Sequence, residues 1–290
     1  MKTKKQKLML KAGYASISLT VILLVLKWIA FVMTNSVAVL STLFDSVQDL
    51  MTSGVNLLAI RQSVVPADKQ HRFGHGKAQA IGGLFQAFII FMSALILIYQ
   101  SCLHWEQHDV PDVFSYGTLL LVISIVLTFI LINFQKYVIA KTDSISIRAD
   151  MAHYSGDIWM NLGVIISLFF STVFNIEWID ILFGIGVGLY LIKTTYQIAS
   201  TAIGILMDKE MPIHIRYKIK AIALSFSNVT QIRDLKTRQS GSCLFIQMTV
   251  LMKKDLTLLQ AHQTADEIET ALHERFSDSE IILHLEPDQK

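Results

Sequence analysis

Six stretches of this chain, at about 12–33, 37–60, 79–102, 114–138, 149–172 and 178–203, are apolar over the length a bilayer crossing requires. That length is about 20 residues for a helix rising 1.5 Å per residue. Lipid offers backbone amides no water, so such stretches must bond internally as helices. The expected fold class is therefore an α-helical membrane protein with six transmembrane helices. With 52% hydrophobic and 17% charged residues in 290, the chain is too apolar for an ordinary soluble protein. The lysine-rich start followed by an apolar run imitates a signal peptide, but Ala12–Val32 is span-length and lacks a small-residue cleavage site. It reads as a retained first helix.

The basic residues orient the bundle. Lys2, Lys4, Lys5, Lys7 and Lys11 precede the first span, and Arg61, Lys69, Arg72 and Lys77 fill the loop between the second and third. Lys136, Lys141 and Arg148 flank the next loop on that side, and Lys209 follows the sixth span. The loops Thr34–Ser36, Leu103–Asp112 and Thr172–Glu177 contain no Lys or Arg. Positive charge gathers on the cytoplasmic side, so both termini are expected there, with Trp105 and Trp178 as outer interfacial anchors. In the sixth span Gly184 and Gly188 form a GxxxG, which reads as close helix packing within one subunit in preference to a dimer seam.

After Asp208 the composition turns water-soluble. Ile213–Ser227 reads as a helix, Val229–Arg238 and Cys243–Met252 as strands around Ser240–Gly241, Leu256–Phe276 as an amphipathic helix, and Glu280–Leu285 as a short strand. The division expected is a six-helix transmembrane domain over 1–208 and a small cytoplasmic α+β domain, α-β-β-α-β in order, over 209–290. Cys102 and Cys243 fall in different parts of the chain and form no disulfide framework. A net charge of +2 makes no case for nucleic acid.

The chemistry sits inside the apolar runs. Asp45 and Asp49 are four apart in the second span, and His153 and Asp157 are four apart in the fifth. Positions i and i+4 share a helix face, so each helix presents two ligands from one stripe. An ionised Asp at mid-membrane costs about 2.5–3.5 kcal/mol, and a divalent cation or bound protons would offset that cost. The bland alternative is solvation at a water-filled end. Three carboxylates and one imidazole in a tetrahedron suit Zn2+ and could hold Cd2+, Fe2+ or Co2+. Metal and protons must compete for these ligands, which is the basis of metal/proton exchange.

Three further groups carry weaker signals. Asp68, His71 and His75 form D-x-x-H-x-x-x-H in the loop Pro66–Lys77, where Gly74 and Gly76 allow tight turning. They are either surface residues or a metal site beside the entrance to a metal path. His262 lies on the long soluble helix, and His284 and Glu286 share one face of the last strand; by themselves they read as surface residues. His104, His108 and Asp109 lie in an outer loop, either to collect or release metal or, as the favoured reading, as solvated loop residues.

Four stretches carry a resemblance: Ser41–Asp49, Phe73–Lys77, Arg148–Asp157 and Asp234–Gly241. Together they resemble the cation diffusion facilitator family, specifically its bacterial zinc and ferrous-iron efflux branch, over nearly the whole chain. The resemblance implies a homodimer of six-helix subunits with metallochaperone-like cytoplasmic domains. It implies a transport site of Asp45, Asp49, His153 and Asp157, a loop site of Asp68, His71 and His75, and a charge interlock between Lys77 and Asp208. It also implies a cytoplasmic site using His262, His284 and Glu286. There the chain departs from the family, because Arg233 and Thr249 stand where two further His ligands would be expected. At most one metal is expected at that degenerate site.

The reading is a divalent-metal efflux transporter, not an enzyme, of a bacterial inner membrane. Its cargo would be zinc foremost, also cadmium or ferrous iron, exchanged for protons by alternating access. Zn2+ is expected as transported substrate and bound ion, with no organic cofactor. Its partners would be divalent metal ions, protons, the lipid bilayer and a second copy of itself. The rivals are a proton-independent metal channel, a metal sensor, and an intramembrane aspartyl hydrolase with Asp45 and Asp157 sharing a proton. Neither HExxH nor Gly-x-Gly-Asp is present to support the hydrolase.

Overall fold

The computed structural model describes residues 4–34, 37–103, 116–174 and 178–289. They form two compact units, Met1–Ile203 and Gly204–Lys290. The first unit holds α1 (Lys4–Thr34), α2 (Val37–Ser63), α3 (Ala78–Leu103), α4 (Tyr116–Thr142), α5 (Ile145–Phe174) and nearly all of α6 (Trp178–Leu206). Four helical stretches are long and apolar enough by composition to cross a membrane, among the described residues: Lys4–Met33, Ala78–Cys102, Leu121–Thr142 and Ile181–Leu206. The helices outside that set, α2 and α5, are the ones that carry the expected carboxylate and histidine ligands.

The outer surface explains the apolar composition. Val21, Ile22, Val25, Trp28, Ile29 and Val32 of α1 are exposed, as are Phe88 and Ile96 of α3 and Phe129 and Ile130 of α4. A water-soluble bundle would cover such side chains; a lipid-facing one displays them.

The interior is organised around α5. Ile147 packs with Met9 and Ala12 of α1, Ile60 of α2, Val64 just beyond its end, and Val138 of α4. Ala149 and Ala152 pack with Ala87, Ile90 and Ala94 of α3 and with Val187, Leu191 and Ile198 of α6. Tyr154 packs with Leu19 and Leu23 of α1 and Leu131 and Ile132 of α4. The small residues on α5 permit this close approach on several sides at once. The GxxxG of α6 faces α3 of the same chain. A Cβ at Gly188 would lie 2.5 Å from Ile98 Cγ1, and one at Gly184 would collide with Ser101 Oγ.

The second unit orders its elements as α7 (Ile213–Leu224), β1 (Val229–Ser240), β2 (Cys243–Met252), α8 (Leu258–Arg275) and β3 (Ser279–Pro287). This is the α-β-β-α-β order read from the sequence, with α7 ending three residues early and β1 running two residues longer. β1 and β2 pair antiparallel from Ser240 opposite Cys243, with Gly241 at φ 61° in the tight connection. β2 and β3 pair parallel, so a crossover is needed, and α8 supplies it. The core is Ile219 and Ala223 of α7, Ile246, Met248 and Val250 of β2, and Ile268 and Leu272 of α8. Thr257 starts α8 with a capping box, its hydroxyl accepting from Gln260 N–H and its own N–H donating to the Gln260 side chain.

Candidate metal centre

Asp49 stands on α2 and His153 and Asp157 on α5. One ligand atom from each lies within 4.8 Å of the other two. The closest link is His153 Nε2 to Asp49 Oδ1 at 3.1 Å. His153 is buried, and both carboxylates are partly accessible. Two carboxylate oxygens and one imidazole nitrogen therefore converge, with one side open. Such a set could hold a divalent metal ion, with a position left for a further donor.

Asp45 sits one turn before Asp49 on α2, is exposed, and stands outside the group of three. The i,i+4 spacing places both carboxylates on one face, but only Asp49 reaches α5. Lys27 of α1, which the sequence reading passed over, brings a positive charge that bears on both Asp45 and Asp157.

Asp68, His71 and His75 also converge within 4.8 Å. Asp68 Oδ1 lies 3.3 Å from His71 Nδ1, Asp68 Oδ2 lies 3.4 Å from His75 Nε2, and the two imidazole centroids are 4.5 Å apart. The turn is closed by Asp68, whose Oδ1 accepts the backbone N–H of His71 at 2.6 Å and of Gln70 at 2.8 Å. The His71 N–H, seconded by that of Gln70, holds the Asp68 carboxyl below its ordinary value. Gly74, at φ 75°, supplies the left-handed residue that folds His75 back toward Asp68. Lys77 follows at the entrance to α3, where its carbonyl accepts from Ala80 and Ile81.

In the second unit His284 and Glu286 pair at 3.2 Å on the same face of β3. His262 is exposed on α8, 3.7 Å from Asp266. No metal-type group of three forms around His262, His284 and Glu286 among the described residues. The register nonetheless sets Arg233 opposite Thr249 and Thr249 opposite His284, one row across the sheet. An arginine thus occupies the row that holds His284. Asp208, at φ 55° just after α6, meets Arg238 at 3.2 Å. His104, His108 and Asp109 lie outside the described residues.

The sequence reading also gave no role to Asp150, Gln86 or Gln135. All three are buried polar residues within apolar helices. That combination was the signal that could have found them.

The chain is similar to known proteins over nearly its whole length. Residues 14–207 match the family model of the cation efflux transmembrane domain, and residues 212–288 match that of the cation efflux protein cytoplasmic domain. The chain belongs to the cation diffusion facilitator family. Its relatives include the cation-efflux pump FieF of Shigella flexneri serotype 5b, 36% identical over 281 residues, covering 97% of this chain and 93% of the relative. FieF of Escherichia coli O1:K1 matches at the same identity and coverage. The crystal structure of the cytosolic domain of a cation diffusion facilitator family protein is 24% identical, covers 27% of this chain and 94% of that chain, and superposes with a TM-score of 0.26. This cation diffusion facilitator is a metal-cation efflux transporter, with a helical transmembrane domain and a cytoplasmic α/β domain.

Proposed function

We propose that this transporter exports a divalent transition-metal ion, zinc foremost, from the cytoplasm in exchange for protons. The observation that carries the reading is the convergence of Asp49, His153 and Asp157 across α2 and α5. An imidazole among carboxylates favours a borderline ion over Mg2+ or Mn2+. Cadmium and ferrous iron suit the same donors. Asp45, one turn away, supplies the fourth ligand as the helices adjust around the ion.

Every ligand must be deprotonated to bind metal, so protons and metal exclude each other. Metal enters from inside, the bundle rocks to open outward, and protons take the vacated ligands and drive the return. The Asp68–His71–His75 group collects metal on the cytoplasmic side. Lys77 and Asp208 match the two charged positions of the family's interlock. The Arg233–Thr249–His284 row, holding a cation where ligands are expected, leaves the cytoplasmic site with at most one metal.

Six helices cross a bacterial inner membrane with both termini in the cytoplasm, and two copies form the working dimer. The basic loops and the presence of a cytoplasmic-domain match support this arrangement. The test is simultaneous zinc flux and internal pH in proteoliposomes of wild type and Asp157→Ala. Zinc movement that requires a pH gradient, moves protons the other way and is lost in Asp157→Ala is expected. Zinc movement indifferent to protons sinks the antiport, and undiminished transport by Asp157→Ala sinks the site.

A further inference from the structure

Directly beside the transport site lies a second polar assembly that binds nothing in the reading above. Asp150 of α5 is 1% exposed and precedes His153 by one turn. Its Oδ2 accepts from Ser16 Oγ of α1 at 2.6 Å and from Gln135 Nε2 of α4 at 2.7 Å. Its Oδ1 accepts from Gln86 Nε2 of α3 at 2.9 Å. Gln135 Nε2 also donates to Ser16 Oγ at 3.1 Å. Both buried amides aim their NH2 groups at the carboxylate and leave their Oε1 atoms without a partner among the described residues.

The network continues. The Tyr154 hydroxyl, buried at 1% exposure, lies 2.7 Å from Ser53 Oγ of α2 and 3.5 Å from the Ser16 carbonyl. Ser53 is one turn beyond Asp49, and Tyr154 adjoins His153. The Ser53–Tyr154 bond therefore runs beside the Asp49–His153 contact, one turn along α2. Six buried side chains thus join α1, α2, α3, α4 and α5 through a single carboxylate and a single hydroxyl.

Apolar residues could fill this volume and spare the desolvation cost, which is several kcal/mol for unpaired groups. What apolar packing cannot do is fix one rotation and one height of a helix among its neighbours. A satisfied buried polar network does so, because a slip of either kind leaves charged or polar atoms unpaired.

We propose that Asp150 is a positioning residue of the transport site: with Ser16, Gln86, Gln135, Tyr154 and Ser53 it sets the rotation and height at which α5 offers His153 and Asp157 to Asp49. The proposal rests on the assignment of those three residues as the transport site.

The experiment measures the zinc concentration dependence of transport in proteoliposomes of the full chain, normalised to monodisperse protein. Four variants join the wild type: Asp150→Asn, Tyr154→Phe, the double variant Asp150→Asn with Gln135→Glu, and Asp157→Ala. Asp150→Asn turns an NH2 toward donors and should raise the zinc KM about tenfold or more, with Vmax at saturating zinc near wild type. Tyr154→Phe keeps the ring and loses only the hydroxyl bond, so it should raise KM in the same sense but less. The double variant exchanges donor and acceptor between positions 150 and 135 and retains one negative charge. It should bring KM back toward wild type, which mere loss of stability would not permit.

Unchanged KM in Asp150→Asn overturns the proposal, whatever Tyr154→Phe does. So does a double variant as impaired as Asp150→Asn. If Asp150→Asn does not fold, Tyr154→Phe and the double variant decide. Asp157→Ala separates the two levels: normal transport there refutes the site itself, whereas its loss beside a normal Asp150→Asn KM refutes only the positioning role.

Discussion

Replacing His153 by alanine tests the proposed site at its one nitrogen donor. His153 Nε2 is 3.1 Å from Asp49 Oδ1, and its ligand atom lies within 4.8 Å of those of Asp49 and Asp157. Four-ligand zinc sites bind with about 10–16 kcal/mol, so one ligand carries roughly 2.5–4 kcal/mol. At about 1.4 kcal/mol per decade that is a loss of about 60- to 700-fold in zinc affinity. The variant also leaves only oxygen donors, a set that suits Mn2+ and Mg2+. Zinc should therefore lose more than manganese does, and the zinc-to-manganese preference should shrink. The assay is parallel zinc and manganese flux in proteoliposomes, with calorimetric titration of the purified protein. A zinc KM within about threefold of wild type, under about 1 kcal/mol on the same scale, refutes the ligand role. An unchanged preference between the two metals refutes the selectivity argument even if both affinities fall.

Other outcomes follow from the loop and the second unit. The Asp68 carboxyl is held below its ordinary 3.8 by the His71 and Gln70 amides, so its contribution to the turn is complete above pH 3.8 and is lost as pH falls further through the depressed value. The His71 amide resonance of labelled full-length protein should hold until below pH 3.8, and a midpoint at or above 3.8 contradicts the geometry. Thr257→Ala removes the hydroxyl that accepts from Gln260 N–H and should destabilise α8 by about 0.5–2 kcal/mol, read as earlier hydrogen exchange in the first turn of the helix. Burial, with Glu280 and Asp278 nearby, pushes the Cys243 thiol above its ordinary 9.0, against the opposing charge of Arg238. Its alkylation at pH 7 should be slower than that of an unstructured cysteine peptide, and equal rates would mean that the thiol is not shielded.

The order of elements was legible because each signal is local. Span-length apolar runs can only be helices in lipid, and α1 to α6 fall on the six runs. In the soluble part, alternation marked β1 and β2, and helical periodicity marked α7 and α8. Ends were less legible. β1 runs on through Gln239 to Ser240 because Ser240 still pairs with Cys243, a cross-strand fact invisible in β1 alone. The pairing of β2 with β3 in parallel was equally hidden, since it depends on where α8 returns the chain.

For the candidate site, spacing put Asp45 with Asp49 and His153 with Asp157 on common helix faces. The periodicity of one helix cannot say which residue on a face meets a neighbour. Packing of α2 on α5 decided that Asp49 joins His153 and that Asp45 stays one turn away. Asp150 is one turn before His153, yet it turns to Ser16, Gln86 and Gln135 rather than to the metal-type group. A sequence shows three acidic or imidazole residues, Asp150, His153 and Asp157, along one stretch of α5. Only the bundle sorts one of them into a network spanning five helices.

The class of molecule follows from the order of residues alone, since the incompatibility of lipid with unbonded backbone leaves a long apolar run a single regular conformation. So does the available ligand chemistry, since donor type belongs to the residue and not to its surroundings. The tertiary structure decided which ligands converge, because residues 104 positions apart meet only when helices choose a rotation and a height. That choice comes from side chains remote from the ligands: the small residues that let α5 approach α3 and α6, and the carboxylate of Asp150 that penalises any other setting.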